Sequence, residues 1–481
     1  MEKGKTVEVH IDDITQEGAG VGRAEDGRAI FVRGAVPGDR VLAEVTKLKK
    51  RYAVGRLIEV AEPSPSRRET FCEYAGPCGG CPYGELQYPA QLELKQQHVK
   101  DALQRIGGIR EPLVRPIIGA AEPKRYRNKA VLQIAGAFAH SKIGFYRAGT
   151  HDVCDCRDCR IQMPPAAACA EALRRFMKED NIASFDRRTG KGLLKGMTVR
   201  TARGTGEVMV VLVINGKGIP NSQKLVDLLD DAVWSLPPDE DGREYSLESV
   251  FVNISRDARE QYGKKTELLA GRDVIREEIG GVRFEISPTA FYQVNPVMME
   301  KLYNQVLEYA KLKSGSRVLD LYCGAGSIGL WLAHAMAGKI HLLGIESNQE
   351  AVRQANRNAV INGIVDARYI AGKAETVLPE LMRQSSECDS DDPEDLTKIR
   401  FDGADLVILD PPRAGCQEAL LNAACETGAE RIIYVSCDPP TLARDAKFLL
   451  SKGYSLVETV PVDMFPNTGH VETVALLTRT N

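Results

Sequence analysis

The sequence predicts an α/β protein with a Rossmann-like C-terminal domain, preceded by an OB-like β-barrel and a mainly β central domain. The chain has 481 residues, 43% apolar and 27% charged, which is the composition of an ordinary globular protein of roughly two to four domains. Short alternating strands between glycine turns occupy its beginning. Buried strands near its end lead into turns of glycine or proline, as in a parallel α/β sheet.

Net charge and cysteine content restrict the classes of function. The formal net charge of −3 gives no overall basic signal, so any nucleic-acid contact must use local positive patches. The amino terminus lacks an apolar signal region, and no run approaches the roughly 18 apolar residues of a membrane span, so we expect a cytoplasmic protein without membrane contact. Because that compartment is reducing, the 12 cysteines indicate a metal site or catalysis rather than disulfides.

Domain boundaries follow from changes in composition. A proline- and serine-rich stretch at 62–68 is typical of a linker. A helix at about 90–108, ended by Gly107 and Gly108, is expected to pack on the last domain. The predicted domains are 1–62, 63–285 and 286–481.

The first domain alternates apolar and polar positions in four short segments, at 7–11, 29–32, 40–45 and 53–58, which favours a small β-barrel. The glycine turns between them, Glu17–Arg23 and Val36–Asp39, resemble those of the TRAM domain, an OB-like RNA-binding module. A basic cluster supports this comparison as a loop that contacts phosphates, although a solvated loop is the alternative. The cluster consists of Lys47, Lys49, Lys50 and Arg51.

Cysteines are concentrated in two places, Cys72-x5-Cys78-x2-Cys81 and Cys154 to Cys159. A zinc site could combine the two Cys-x2-Cys pairs, but these are separated by far more than the usual interval of about 15–20 residues. The close triplet suits an iron–sulfur cluster completed by one distant thiol, and unliganded thiols are a third reading. The spacing differs from the Cys-x3-Cys-x2-Cys triplet associated with radical cleavage of S-adenosylmethionine.

Beyond the cysteine triplet, Lys124–Lys129 opens a strand-rich region that reaches about residue 285. Basic residues around an aromatic one suit a strand that contacts phosphates and stacks a base, and a solvated strand edge is equally compatible. Alternation at 207–213 supports the mainly β central domain.

A strand at 317–323 is followed by a glycine turn, 324–329, and a helix. Alone this pattern also fits nicotinamide and flavin proteins. A second strand, at 341–345, ends in Glu346, about 20 residues beyond the glycines, where a carboxylate can hold the two hydroxyls of a ribose.

The strand 405–409 ends in Asp410-Pro411-Pro412-Arg413, where the prolines impose a rigid turn. This acid-Pro-Pro element resembles the Rossmann-like S-adenosylmethionine methyltransferases, in which it lies between cofactor and target base. Before it, the acidic insertion Ser385–Asp395 is expected to be a disordered surface loop.

A last buried strand, 432–435, places Cys437 at the carboxyl edge of the sheet, where ligands bind in α/β proteins. A buried cysteine that only fills the core is the alternative. Downstream, the segment 462–474 brings Glu472 beside another strand.

Together these motifs resemble the RNA (uracil-5-)-methyltransferase family, over essentially the whole chain. The barrel and the cysteine triplet make the 23S ribosomal RNA branch the nearest match, since the tRNA branch generally lacks both. The motifs are Ser287–Asn295, Asp320–Gly324, Asp410–Arg413, Tyr434–Cys437 and His470–Glu472.

The resemblance implies a role for individual residues. Cys437 matches the family nucleophile and Glu472 the family base. The resemblance also implies two bound groups, S-adenosyl-L-methionine and a [4Fe–4S] cluster. The cofactor contacts would be Gln293, Tyr322, Ser327, Glu346 and Asp410, and the cluster ligands Cys72, Cys78, Cys81 and Cys159.

Two features depart from the family pattern. Asp438 stands where asparagine is usual, and a carboxylate there should disfavour the Cys437 thiolate unless it is neutralised or turned away. Cys154 and Cys156 are extra thiols, which leaves the fourth cluster ligand less defined than the first three.

The expected function is methyl transfer to C5 of a uridine in 23S ribosomal RNA by a monomeric enzyme. The thiolate chemistry is expected to need an electropositive setting, to which Arg413 could contribute. The alternatives are a tRNA uridine-5 methyltransferase and an RNA-binding assembly factor without catalysis. A cytosine-5 methyltransferase is disfavoured, because those enzymes typically have proline before the nucleophile, where this chain has Ser436.

Overall fold

The computed structural model describes residues 1–257, 260, 262–385 and 401–480. These residues form a closed five-stranded barrel, two seven-stranded sheets and a two-stranded hairpin. The predicted α/β architecture with an N-terminal barrel is therefore confirmed.

The barrel has the strand order β1-β2-β3-β5-β4 and is filled by apolar side chains at alternate positions. One predicted turn is wrong, because part of Glu17–Arg23 forms a strand. Gly20 and Gly22 allow this strand to lie close to the neighbouring backbone. A Cβ atom at these positions would lie 2.6 Å from the Ala35 oxygen and 2.2 Å from the His10 oxygen, respectively. The strands are β1 (Thr6–Ile14), β2 (Ala19–Arg23), β3 (Ala29–Arg33), β4 (Arg40–Leu48) and β5 (Tyr52–Glu62).

Helix α1 (Tyr88–Arg105) follows the cysteine triplet, and Pro89 occupies its first turn, where the missing N–H costs nothing. The apolar face of α1 presents Val99 and Leu103 to Ala443 and Val471, which belong to the C-terminal part of the chain. The helix thus joins the hydrophobic core of the last domain.

The central sheet has the order β12-β11-β10-β9-β6-β7-β8. Helices α2 and α3 cover one face of it, which the alternation pattern did not predict. Its elements are β6 (Lys129–Ala135), a short 3₁₀ helix (Phe138–His140), β7 (Lys142–Tyr146), β8 (Val153–Asp155), α2 (Pro165–Glu179), β9 (Leu194–Thr201), β10 (Glu207–Ile214), α3 (Ser222–Trp234), β11 (Ser246–Ile254) and β12 (Lys265–Gly271).

The basic stretch before β6 differs from the prediction, because the strand begins only at Lys129. Tyr126 is buried, and its hydroxyl donates to the Pro466 carbonyl oxygen, so its ring does not offer a stacking surface. Arg125 pairs with Asp158 rather than facing solvent alone. Stacking of a base on this aromatic residue is therefore excluded by its burial.

The last part of the chain begins with a hairpin and a helix and then builds the second seven-stranded sheet, ordered β17-β16-β15-β18-β19-β21-β20. Strands β15 to β19 run parallel, whereas β20 and β21 are antiparallel additions. The elements are β13 (Ile275–Ile279), β14 (Val282–Ile286), α4 (Pro296–Ala310), β15 (Arg317–Leu321), α5 (Ser327–Ala335), β16 (His341–Glu346), α6 (Gln349–Ile361), β17 (Ala367–Ala371), α7 (Ala374–Ser385), β18 (Leu406–Leu409), α8 (Glu418–Glu426), β19 (Arg431–Ser436), α9 (Pro439–Ser451), β20 (Tyr454–Val462) and β21 (Glu472–Arg479).

The acidic insertion predicted at 385–395 lies outside the described residues, except for Ser385 at the end of α7. None of the described helices is both long and apolar enough to cross a membrane.

Candidate active site

The carboxyl ends of the parallel strands meet at one edge of the C-terminal sheet, which is where α/β proteins bind their ligands. Parallel pairing aligns the end of β15 with those of β16 and β18, and the end of β18 with β19. The edge therefore collects four of the predicted site residues: Tyr322, Glu346, Asp410 and Cys437.

The glycine turn after β15 is a tight left-handed loop. Tyr322 has φ 62°, and its hydroxyl donates to Glu375 Oε1 at 2.7 Å. Gly326 has φ 77°, and a Cβ atom there would lie 2.6 Å from the Tyr369 hydroxyl oxygen. Ser327 then begins α5, and its hydroxyl shares a 2.7 Å hydrogen bond with the Tyr303 hydroxyl of α4. The loop is thus fixed at both ends before any ligand binds.

Glu346 faces this turn from the end of β16. Its Oε2 atom accepts a hydrogen bond from the Gly324 N–H at 3.2 Å, and Oε1 accepts one from the Asn348 N–H at 2.7 Å. Backbone donors therefore hold the carboxylate at the position where such a group can accept hydrogen bonds from ribose hydroxyls.

Gln293 lies on the loop between β14 and α4. The Asn128 side chain donates to the Gln293 carbonyl oxygen at 3.1 Å, and Arg200 donates to the Ala290 carbonyl oxygen. Asn295 caps α4 through Met298 N–H. This motif loop thus connects the central sheet to the helix that supports Ser327.

Cys437 and Glu472 come from neighbouring strands. The last register pair of β19 and β21 joins Ser436 to Thr473, and because the strands are antiparallel, the next step sets Cys437 opposite Glu472. Residues that are opposite in such a ladder have Cβ atoms about 5 Å apart. The two residues predicted as nucleophile and base therefore lie side by side, although 35 positions separate them in the sequence.

The titratable groups around this pair are mainly acidic, whereas the sequence led us to expect an electropositive setting. Burial, and then the nearby carboxylates of Glu472 and Asp410, raise the pKa of Cys437 to about 11, while Arg413 acts in the opposite direction. Burial, and then Asp410, raise the pKa of Glu472 to about 8. Burial raises the pKa of Asp410 to about 7. The pocket therefore holds acidic groups that a bound cation would stabilise in their ionised forms.

The unusual Asp438 is turned toward α9. It is the N-cap residue of this helix, and its Oδ2 atom accepts the Thr441 N–H at 3.2 Å. Its contribution to the raised pKa of Cys437 is smaller than those of Glu472 and Asp410. Helix capping thus accounts for the carboxylate at this position.

Sequence reasoning missed the loop that precedes Glu472. Asp463 forms a fully buried ion pair with Lys95 of α1, and it also accepts the Tyr88 hydroxyl at 2.8 Å. At the other end of the loop, His470 Nδ1 lies 2.8 Å from Gln16 Nε2 of the barrel and 3.2 Å from an Arg413 nitrogen. Nothing local marks these contacts, because the partners are 57 positions apart for Arg413 and His470 and more than 360 apart for the others.

Away from the sheet edge, five cysteines line one cavity of about 410 Å³. Burial and the neighbouring thiols raise the pKa of Cys81 to about 12, whereas a hydrogen bond from Cys156 lowers the pKa of Cys159 to about 7. Cys154 does not line this cavity. The five are Cys72, Cys78, Cys81, Cys156 and Cys159.

Within the part of the chain that the structure describes, no group of three or more histidine, cysteine or acidic side chains is arranged to hold a metal ion. The five thiols nevertheless line one cavity and influence one another's pKa values. An all-cysteine set of at least four donors fits the ligands of an iron–sulfur cluster.

Comparisons with known proteins define the class of this protein as an RNA methyltransferase. An uncharacterized RNA methyltransferase of Halalkalibacterium halodurans is 38% identical over 478 residues, covering 99% of this chain and 98% of the relative. Another, from Caldanaerobacter subterraneus, is 39% identical over 478 residues with the same coverage.

The profile of the tRNA (uracil-5-)-methyltransferase family matches residues 249–480, and that of the TRAM domain matches residues 1–58. The chain therefore belongs to this S-adenosylmethionine-dependent RNA uracil-5 methyltransferase family, and the predicted TRAM barrel is confirmed. It is also similar to the tRNA (uracil-54, C5)-methyltransferase of Pyrococcus abyssi, solved with S-adenosyl-L-homocysteine. That similarity has a TM-score of 0.75 and 27% identity and covers 98% of this chain and 100% of the other.

The pKa values predict how Cys437 reacts in the ligand-free protein. Glu472 is neutral below about pH 8, so Glu472→Gln should leave the alkylation rate of Cys437 unchanged there. Above that pH the wild-type carboxylate ionises and opposes the thiolate, so the variant should react faster, by up to about tenfold if the pKa of Cys437 falls by one unit. The measurement is the rate of iodoacetamide labelling of the Cys437 peptide by mass spectrometry, between about pH 7 and 10.

Glu418→Gln, an exposed substitution in α8, should follow the wild-type profile. Identical profiles for Glu472→Gln and the wild type above pH 8 would show that this carboxylate does not influence the thiol.

Proposed function

We propose that this protein transfers a methyl group from S-adenosylmethionine to C5 of a uridine in 23S ribosomal RNA. The observation that carries the proposal is the pairing of Cys437 with Glu472 at the carboxyl edge of a methyltransferase sheet. A thiol and a carboxyl beside each other are the two groups that addition to a pyrimidine and later proton removal require.

The cofactor would bind between the glycine turn and Glu346, which would accept the ribose hydroxyls. Tyr322, Ser327 and Gln293 would complete its pocket, and Asp410 would separate it from the uracil. The acidic groups at this edge suit a cationic ligand, since S-adenosylmethionine supplies an electrophilic methyl group on a positively charged sulfur.

Cys437 would begin the reaction by adding to C6 of the uracil. The new S–C6 bond pushes electron density onto C5, which is otherwise too weakly nucleophilic to accept a methyl group. C5 then forms a bond to the methyl carbon as the sulfur–methyl bond breaks. Because the pKa of Cys437 is raised to about 11 in the free protein, its thiolate would form only when the positive charge of a ligand offsets the neighbouring carboxylates.

Glu472 would complete the reaction as general base. Because its pKa is raised, Glu472 would first have to lose its own proton, and the positive charge of bound S-adenosylmethionine would favour this ionised form. The carboxylate would take the C5 proton, the electron pair of that C–H bond would re-form the ring double bond, and the S–C6 bond would break to release the Cys437 thiolate. A carboxyl whose pKa is raised to about 8 holds the abstracted proton better than an exposed glutamate, so its burial next to Cys437 suits this step.

Two basic surfaces support RNA as the substrate. The barrel residues Lys47, Lys49 and Lys50 are exposed at the β4–β5 turn. On the central sheet, the partly exposed Lys129 lies directly opposite Arg200, whose side chain is buried. Burial and the neighbouring arginines lower the pKa of Lys129 to about 8, so this like-charge pair is destabilising unless an anion such as phosphate binds.

The choice of 23S ribosomal RNA rests on the barrel together with the five-thiol cavity, a combination that resembles that branch of the family. Methylation of a tRNA uridine is the second candidate, favoured by the similarity to the Pyrococcus abyssi tRNA enzyme. We also propose that the protein acts as a monomer in the cytoplasm, where its RNA resides, and that the chain divides into domains at residues 1–62, 63–285 and 286–481.

A [4Fe–4S] cluster is proposed for the thiol cavity, with Cys72, Cys78, Cys81 and Cys159 as ligands. Cys156 would remain the hydrogen-bond partner of Cys159. Methylation by S-adenosylmethionine involves no net redox change, so the role proposed for this centre is to hold together the segments that carry the thiols.

The catalytic proposal predicts different fates for two variants. Cys437→Ala should bind ribosomal RNA but form no covalent complex, because it cannot add to C6. Glu472→Gln should add and transfer the methyl group but fail to release the RNA, and its turnover should fall by a factor of about 100 or more. The measurement is denaturing electrophoresis after incubation with 23S ribosomal RNA and methyl-labelled S-adenosylmethionine.

The Glu472→Gln lane should contain a protein–RNA adduct that carries the methyl label. A Glu472→Gln enzyme that turns over at the wild-type rate, or a Cys437→Ala enzyme that remains active, would mean that the carboxyl or the thiol has been misassigned. Glu418→Gln serves as the carboxyl control, because it is exposed and lies on α8.

The cluster proposal predicts brown, iron-containing protein after anaerobic purification, with broad absorption near about 400 nm. Serine at any of the four proposed ligands should abolish this absorption, and Cys154→Ser should retain it, since Cys154 lies outside the cavity. Stoichiometric zinc without iron would refute the cluster. Loss of colour in Cys156→Ser but not in Cys159→Ser would reassign the fourth ligand.

A further inference from the structure

A second cavity, of about 650 Å³, lies on the face of the central sheet that α2 and α3 leave uncovered. Side chains alternate along β6, so that Leu132 packs into the core beneath the helices while Val131 and Gln133 point to the other side. Thr198 of β9 lies opposite Val131 and shares the cavity floor with it. The family motifs assign no function to this cavity.

Three aromatic rings line the cavity wall. Tyr146 and His151 form an edge-to-face pair with ring centroids 5.4 Å apart. Phe185 lines the same space, and Tyr146 and Phe185 are both partly exposed. Nucleic-acid bases stack on rings of this kind without regard to sequence, because every base has a π face.

A cationic side chain lies near each of the two larger rings, those of Tyr146 and Phe185. The Arg187 guanidinium carbon lies 5.6 Å from the Tyr146 ring centroid, and Lys195 Nζ lies 5.4 Å from that of Phe185. Lys195 also donates to the Ser255 hydroxyl at 2.8 Å, so its hydrogen bonds are used within the protein while its charge remains.

Arg187 and Arg188 are the cationic side chains of this cavity that can donate hydrogen bonds to a ligand. Both are exposed, and within the described ranges neither forms an ion pair with a carboxylate. The carboxylates that line the cavity are Asp186, which accepts the Arg188 backbone N–H at 2.7 Å, and Glu260. The guanidinium groups thus face the opening beside the rings, as phosphate-binding groups do beside stacked bases.

The cavity adjoins the thiol cavity and lies near the motif loop. Val131 lines both this cavity and the thiol cavity, and two residues earlier Lys129 lies opposite Arg200. Arg200 in turn donates to Ala290 of the motif loop. Arg200 is buried, whereas Lys129 is partly exposed. From Lys129 to Gln133 the strand advances about 13 Å, so an RNA strand that contacts Lys129 could extend into the cavity.

We propose that this cavity binds a single-stranded segment of the substrate RNA that flanks the methylated uridine. Bases stack on Tyr146 and Phe185, and Arg187 and Arg188 contact the phosphates. A free nucleotide shares this chemistry, but the cationic path from the motif loop favours a polymer. This inference deepens the proposed function and depends on it for the identity of the RNA.

The test uses the full-length protein and a fluorescein-labelled oligouridylate of about ten nucleotides, with affinity measured by fluorescence anisotropy at several KCl concentrations. Each phosphate contact to a single strand contributes about 0.7 to the slope of log K against log salt concentration. Arg187→Ala with Arg188→Ala should therefore reduce the magnitude of the slope by about 1.4 and weaken binding about tenfold near 0.1 M salt.

The aromatic residue should give a different signature. Tyr146→Ala should weaken binding about tenfold but leave the salt slope unchanged, because stacking releases no counterions. Tyr146→Phe, which keeps the ring, should bind like the wild type.

A matched control variant removes two positive charges from helix α2, on the face of the central sheet opposite the cavity. Arg175→Ala with Lys178→Ala alters two exposed cations of α2 and should change neither affinity nor slope. Equal slopes for the wild type and the Arg187/Arg188 variant, or an equal loss in the α2 variant, would overturn the proposal. Displacement of the oligomer by millimolar uridine monophosphate would also overturn it, because the site would then accept free nucleotides.

Methylation of 23S ribosomal RNA by the wild-type protein is assayed separately. If the wild type methylates this RNA and the cavity variants bind it normally, the cavity proposal fails and the proposed function stands. If the slope changes as expected but no 5-methyluridine forms, the cavity proposal stands and the proposed function fails.

Discussion

The buried ion pair between Lys95 and Asp463 is the constraint on which the arrangement of this protein depends. Both side chains are fully buried, and Tyr88 adds a hydrogen bond to the same carboxylate. Leaving either charge unpaired in the interior would cost about 3–5 kcal/mol, so α1 and the loop 463–470 are held together. Because Glu472 directly follows that loop, the position of the proposed base is set by a helix from the other half of the chain.

The same loop receives contacts from every other part of the molecule. Gln16 of the barrel reaches His470, and Arg68, beside the cysteine triplet, donates to the Asn467 side chain at 2.7 Å. Tyr126, before the central sheet, donates to the loop backbone. The parts proposed to bind RNA and the group proposed to remove a proton therefore share one structural element, so RNA bound to the barrel or the central sheet would act on a loop next to the reaction.

Sequence reasoning succeeded where a local pattern marks the position of a residue in the fold. Glu346, Asp410 and Cys437 were located because a buried strand followed by a turn places its next residue at the sheet edge, and the parallel sheet brings such edges together. It failed where two interacting residues are far apart in the chain, and where the burial of a side chain determines whether it can contact a ligand. Lys95 and Asp463 are 368 positions apart, and Tyr126 was considered for base stacking although its ring is buried. The acidic surroundings of Cys437 were not foreseen either, because they arise from the packing of separate strands.

The most direct test of the central claim is the map of 5-methyluridine in ribosomal and transfer RNA from cells that lack this protein, compared with cells in which it or Cys437→Ala is restored. The account predicts that 5-methyluridine disappears from 23S ribosomal RNA alone and returns only with the wild-type protein. Loss from tRNA instead would contradict the substrate assignment. An unchanged map, or full restoration by Cys437→Ala, would contradict the proposed chemistry.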